Sequence, residues 1–157
     1  MDTIEFGKKI ITYNFTKQNV VCAVPVINGY ALTDIMEKYE RQAAEKNGFE
    51  YTGFGYEYQL ADILYNYLLS KSSCVSENEV ALMICSDCHD EGCWPLLVTI
   101  DETENEIIWR NFHNPHRSNP SKEDRFGDYS IFPVFHFSKV SYKLEIEKLK
   151  EMARTLI

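Results

Sequence analysis

Apolar residues in this chain either alternate with polar ones or form short unbroken runs, and six such stretches predict β-strands. Ile11, Tyr13 and Phe15 alternate with polar residues, as in a half-buried strand. The run 20–27 is followed by an Asn-Gly pair, which is a typical turn signal. The other four predicted strands are residues 80–84, 94–100, 107–112 and 131–137.

Three stretches carry apolar residues at the spacing of an amphipathic helix. The first helix is predicted to have Asp34 as its N-cap and to stop at Asn47-Gly48. The second is predicted over about residues 58–70 and the third over residues 139–156. Two helices therefore lie in the N-terminal half of the sequence and one in the C-terminal part.

Helices and strands are segregated along the chain rather than alternating, which is typical of the α+β class. The polar stretch 101–106 separates two apolar runs, so we expect a central hairpin over about residues 94–112 in a mostly antiparallel sheet. A long polar loop follows at 113–130. No repeat or linker interrupts the pattern, and we expect a single α+β domain over residues 1–157.

The amino-acid composition and net charge disfavour some classes of protein. Hydrophobic residues make up 45% of the 157 residues, yet no apolar run approaches the roughly 18 residues of a membrane span. A net charge of −8 disfavours nucleic acid, whose phosphates attract Lys and Arg, and it fits a basic protein partner. The first residues lack the basic lead of a secretion signal, so we expect a cytoplasmic protein that binds neither membrane nor nucleic acid.

Potential metal-binding side chains are most concentrated in the segment Cys85-x2-Cys88-x4-Cys93, which holds three of the five cysteines. A C-x2-C pair can chelate one metal ion from a tight turn, and Cys93 can add a third thiolate. Thiols stay reduced in a cytoplasm, where a cysteine cluster is typical of metal binding. We therefore predict a zinc site at these three residues, with one coordination position to be filled.

The central hairpin supplies candidates for the fourth ligand. If residues 102–105 form the hairpin loop, Trp94 lies opposite His113, and the chain after His113 returns to the cysteines. We favour His116 because it lies beyond the paired strands and is free to turn inward. His113 and His89 remain alternatives.

Other interpretations of the cluster stay open beside zinc. The thiols can be redox-active, although the neighbouring Asp87, Asp90 and Glu91 disfavour a thiolate because negative charge raises a thiol pKa. They can also be ordinary thiols, as we expect for Cys22 and Cys74, because a free cysteine packs like a small hydrophobic residue. A deaminase is disfavoured, because in a deaminase the cysteine pair follows the H-x-E motif. In this sequence the cysteine pair comes before the H-x-E motif. The sequence contains no glycine-rich phosphate loop, G-x-S-x-G elbow or H-E-x-x-H helix.

Several motifs together resemble a group of small bacterial proteins that share a "GCWPL" core and a "W-x2-F-x2-PHR" segment and have no established activity. The resemblance covers about residues 80–149 and implies that the cysteines and His116 belong to one structural unit. The matching motifs are Cys85-x2-Cys88-x4-Cys93-Trp94-Pro95-Leu96, Trp109-x2-Phe112-x2-Pro115-His116-Arg117, Asp128-Tyr129 and Phe135-x-Phe137.

Two functions follow from these observations. The first is a non-catalytic protein-binding module with a structural Cys/His zinc site, for example an immunity-type protein that neutralises a basic toxin. The second is a zinc-dependent enzyme with an open metal position, in which Cys85, Cys88 and Cys93 hold the ion and Glu91 or His89 is the base. Three thiolates make zinc a poorer Lewis acid, so the binding module is the preferred hypothesis.

Overall fold

The structure is a computed structural model that describes residues 1–13, 16–48, 50–51, 55–116 and 129–154. Within these residues it contains eight strands, three α-helices and one 3-10 turn. In chain order the elements are β1 (Ile4–Thr12), β2 (Asn19–Ile27), β3 (Tyr30–Ala31), α1 (Leu32–Lys46), β4 (Tyr56–Leu60), α2 (Ala61–Ser70), β5 (Val80–Cys85), β6 (Leu96–Glu102), β7 (Glu106–His113), the 3-10 turn (Tyr129–Ile131), β8 (Phe135–Ser138) and α3 (Lys139–Ala153).

All eight strands form one antiparallel sheet in the order β1-β2-β4-β5-β6-β7-β8, with the short β3 paired to β2. The two ends of this order meet, because Asp2 makes a parallel bridge to Phe137. The Asp2 N–H donates to the His136 carbonyl at 2.8 Å, and the His136 N–H donates to the Asp2 carboxylate at 2.8 Å. The predicted α+β class and the mostly antiparallel sheet are confirmed.

The core lies along the middle strands and beneath α3. Every residue of β5 is buried, as expected for a central strand that is covered on both faces. Trp109 of β7 is fully buried, and its indole N–H donates to the Tyr142 hydroxyl of α3 at 3.3 Å. Phe137 meets the Trp109 ring edge-on, with centroids 5.4 Å apart. Burial of each such side chain contributes about 1.5–3 kcal/mol, and the contact between Trp109 and Tyr142 holds α3 on the sheet.

The structure corrects the start of the first two helices. α1 has Ala31 rather than Asp34 as its N-cap, and Asp34 lies inside the first turn, where a carboxylate interacts favourably with the helix dipole. Tyr58, which was predicted to be helical, lies in β4 and pairs with Met83 of β5. Helical spacing of tyrosines was misleading here, because pairing with a buried strand outweighs local preference.

The C-terminal elements agree more closely with the prediction. The last predicted strand divides into the 3-10 turn and β8, and Pro133 lies in the connection rather than in the strand. α3 begins at Lys139 as expected, and its buried side is formed by Tyr142, Ile146 and Leu149. The predicted strand residue Phe15, most of the predicted loop (117–128) and the last predicted turn of α3 (155–156) lie outside the described residues.

The central hairpin is confirmed, but its register differs from the prediction. The Thr103 N–H donates to the Glu106 carbonyl at 2.9 Å, so the turn is two residues shorter than expected. An irregularity between Leu97 and Thr99 then shifts the register again. His113 is paired with Leu97, and the predicted pairing of His113 with Trp94 is wrong.

Candidate metal centre

The cysteine segment connects β5 to β6 at one end of the sheet. Cys85 is the last residue of β5, and the following residues fold back on it: the His89 N–H donates to the Cys85 carbonyl at 3.0 Å. The Cys93 N–H donates to the Asp90 carbonyl at 3.3 Å, and the Gly92 N–H donates to the Asp90 side chain at 2.8 Å. These bonds form consecutive tight turns, which bring the three cysteines together.

The sulfur atoms of Cys85, Cys88 and Cys93 all lie within 4.8 Å of one another. A tetrahedral zinc ion about 2.3 Å from each sulfur would place them about 3.8 Å apart, so a small contraction suffices to hold one ion. Cys85 is buried, whereas Cys88 and Cys93 are exposed. Among the described residues, no His, Asp or Glu joins this group at the same distance. The three cysteines can therefore hold a metal ion, as the sequence predicts.

Backbone hydrogen bonds prepare Cys85 to carry negative charge. Burial opposes ionisation of its thiol, but the N–H groups of Cys88 and Asp87 and the thiols of Cys88 and Cys93 donate to its sulfur and hold its pKa below the usual value. Hydrogen bonds of the Cys93 thiol with Cys88 and Cys85 raise the pKa of Cys93 to about 12. The expectation that acidic neighbours disfavour a thiolate is wrong for Cys85, because the folded backbone supplies donors that composition does not reveal.

His116 lies beside the segment rather than among the sulfurs. Its Nε2 is 3.0 Å from the Gly92 carbonyl oxygen, and its backbone N–H donates to the Asn114 side chain at 2.9 Å. Its ring is parallel to the Trp94 indole, with an interplanar angle of 8° and centroids 6.1 Å apart. The structure thus brings His116 to the residue next to Cys93.

The other two candidate histidines have different contacts. The Nε2 of His113 is hydrogen-bonded to the Glu79 carboxylate, to which the Ser76 hydroxyl also donates at 3.2 Å. The ring of His89 stacks on Tyr13 with centroids 5.0 Å apart. His89 follows Cys88 directly and has a φ of 58°, in the left-handed region that allows the chain to turn sharply here.

Two contacts that support the cysteine segment were not predicted from the sequence. The Tyr67 hydroxyl of α2 donates to Glu91 at 2.5 Å, which ties the stretch between Cys88 and Cys93 to the helix. Burial and hydrogen bonds with Cys74 and Glu91 raise the pKa of Tyr67. Within the described part of the chain, the second carboxylate oxygen of Glu91 is buried and has no hydrogen-bond partner. No sequence signal connects a helical tyrosine with a glutamate 24 residues away.

The other unpredicted support is Gly55, which precedes β4. Its carbonyl accepts a hydrogen bond from the Ser86 N–H at 2.9 Å. Its φ is +84°, and a Cβ at this position would lie 2.9 Å from the indole nitrogen of Trp94. Gly55 thus combines a left-handed backbone with a close approach to Trp94, and glycine is the residue that permits both.

The remaining two cysteines lie apart from the cluster. Cys22 is buried in β2, and burial raises its pKa to about 12. Cys74 is exposed, and its backbone N–H donates to the Tyr67 hydroxyl at 3.4 Å. Neither thiol is in a disulfide.

Comparison of the chain with protein-family models, with curated proteins and with solved structures finds no match. None of the helices in the described ranges has the length and apolarity that crossing a lipid bilayer requires.

Proposed function

We propose that this chain is a non-catalytic protein-binding module in which one zinc ion, held by Cys85, Cys88 and Cys93, fixes the segment between β5 and β6. The approach of the three sulfurs to within 4.8 Å is the observation that carries the proposal. Hydrogen bonds from backbone N–H groups to the Cys85 sulfur support it, because outer contacts of this kind orient a ligand before the metal arrives.

His116 is the proposed fourth ligand. If its Nε2 carries the proton and donates to the Gly92 carbonyl, the Nδ1 atom keeps the lone pair that a metal requires. Histidine ligands commonly donate their second N–H to a backbone carbonyl in this way. Binding would require the imidazole to move closer to the sulfurs, since its nitrogens are not within the 4.8 Å group. The three-thiolate, one-imidazole set is a common structural zinc site.

A binding role agrees better with the surroundings of the site than an enzymatic one. Three thiolates place much negative charge on zinc and weaken it as a Lewis acid. His89, one candidate base, is stacked on Tyr13. One carboxylate oxygen of Glu91 is buried without a hydrogen-bond partner among the described residues, and this observation favours the second candidate, an enzyme in which Glu91 is the base and water fills the open metal position. The charge of −8 supports a basic protein partner in the cytoplasm, of the kind that an immunity-type protein neutralises.

Metal analysis tests the zinc site. We expect one zinc per chain after purification under reducing conditions, and loss of the metal in Cys85→Ser, Cys88→Ser and Cys93→Ser. Cys74→Ser is the matched control, because Cys74 is an exposed thiol outside the cluster. A free zinc concentration a thousandfold above Kd stabilises the fold by about 4 kcal/mol, so a chelator should lower the Tm. The proposal would be contradicted if the purified protein contained no metal and the addition of zinc left its Tm unchanged.

Capture of the partner tests the binding role separately. The tagged protein should retain a basic protein at equal stoichiometry in low salt and release it as salt is raised. Recovery of no stoichiometric partner at low salt would count against the binding module while leaving the metal site intact.

A further inference from the structure

The three clustered thiols differ in their accessibility. Cys85 is only 6% exposed, whereas Cys88 and Cys93 are exposed to solvent. Reaction with a dissolved oxidant requires access to the sulfur, so the two exposed thiols are the ones that an oxidant reaches.

The three thiols also differ in how firmly their backbone is held. Cys85 is paired with Tyr56 in the sheet, and a large displacement would break that pairing. Cys88 and Cys93 lie in the turns between β5 and β6, outside any strand. Their sulfurs are no more than 4.8 Å apart, and local adjustment of these turns can bring them to the S–S bond length of about 2.05 Å.

We propose that Cys88 and Cys93 are a site of oxidative modification, at which a peroxide joins the two sulfurs in a disulfide and the zinc ion is released. The disulfide follows from the cluster itself, and the release of zinc rests on the proposed metal site. This is a regulatory property beyond the structural role proposed above.

The chemistry balances with hydrogen peroxide as the oxidant. One thiolate sulfur attacks a peroxide oxygen, the O–O bond breaks, and a sulfenic acid and one water form after protonation by solvent. The second thiolate attacks the sulfenic sulfur, the S–S bond forms, and the sulfenic oxygen leaves as a second water after protonation. The two sulfurs lose two electrons in total and one peroxide gains them. Two of the three thiolate ligands are thereby removed, and zinc loses its site.

Peptide mapping can identify the disulfide, because aspartates separate the three clustered cysteines from one another. Cleavage before Asp62, Asp87, Asp90 and Asp101 places Cys88 in peptide 87–89 and Cys93 in peptide 90–100, while Cys85 remains in peptide 62–86 together with Cys74. In the variant Cys74→Ser, a link to peptide 62–86 reports Cys85 alone. After treatment of the zinc-loaded protein with hydrogen peroxide, we expect 87–89 and 90–100 to be linked. A chromophoric chelator should detect one zinc released per peroxide consumed, and a thiol reductant should restore zinc binding.

Matched variants separate the two proposals. Cys74→Ser should release zinc as the native chain does, whereas Cys93→Ser should form no disulfide between 87–89 and 90–100. Retention of zinc by the peroxide-treated native protein, or a link to peptide 62–86 instead, would overturn the inference and leave the metal site standing. A protein that binds no zinc but forms the Cys88–Cys93 disulfide would overturn the proposed function and support the modification site.

Discussion

The imidazole of His116 lies parallel to the indole of Trp94 at an interplanar angle of 8°, and its Nε2 is 3.0 Å from the Gly92 carbonyl oxygen. His116 therefore contacts two residues that flank Cys93 in the sequence. This arrangement makes His116 the histidine whose removal should affect the proposed metal site most.

We predict that His116→Ala lowers zinc affinity by about 10- to 100-fold, the size typical of losing an imidazole that binds or orients the site. The control is His113→Ala, because His113 is held by Glu79 and should leave zinc affinity unchanged. In the cobalt-substituted protein, loss of His116 should also change the visible absorption bands, which report the ligand set. Identical spectra with and without His116 would remove it from the ligands.

We predict that Gly55→Ala destabilises the fold more than Gly48→Ala. Both glycines have a positive φ, +84° and +77°, so an L-residue should cost each about 1 kcal/mol or more. A Cβ on Gly48 meets none of the described residues within 4 Å, whereas one on Gly55 meets Trp94 at 2.9 Å. The difference between the two variants should be about 1–3 kcal/mol, measured from urea unfolding. Equal losses would show that the contact with Trp94 is not restrictive.

We predict that Tyr67→Phe costs about 1–3 kcal/mol in the free energy of unfolding, because it leaves a part-buried carboxylate oxygen of Glu91 without its donor. The change should also weaken zinc binding, since Glu91 lies between two of the cysteines. Tyr65→Phe removes a hydroxyl from the same helix and is the control. If both variants bind zinc and unfold alike, Tyr67 does not stabilise the site.

Glu102 joins the ends of two helices to the sheet, and we predict that this link is lost in acid. Hydrogen bonds from Lys139 at 2.7 Å and Lys71 at 3.2 Å lower the pKa of Glu102 from 4.5 to about 2. A carboxylate with a lowered pKa in the folded state stabilises it fully above pH 4.5, and this contribution disappears as the pH falls towards 2.

The variant Glu102→Gln should therefore be less stable than the native chain at pH 7, by roughly 0.5–1 kcal/mol, since the pair is partly exposed. The difference should shrink between about pH 4.5 and 2 in thermal unfolding. Glu104→Gln removes the same charge from the same hairpin and is the matched control. A constant difference across this range would contradict the assignment.

The sequence by itself determined the features that depend on neighbours along the chain. The spacing Cys85-x2-Cys88-x4-Cys93 keeps three sulfurs within one short segment, so they come together wherever the segment lies. The apolar spacing of α3 marks the face that packs on the sheet, because a helix is stabilised by burying one side. The α+β class followed from the order of such local patterns.

The tertiary structure decided what depends on contacts between distant residues. Tyr58 lies in a strand because it pairs with the buried strand β5. His113 is not paired with Trp94, because the hairpin turn is shorter than predicted and an irregularity in the strand changes the register. The link from Tyr67 to Glu91 exists only after α2 has packed beside the cysteine segment. Strand register and contacts across the fold depend on which surfaces meet and exclude water, and periodicity within a single segment does not contain that information.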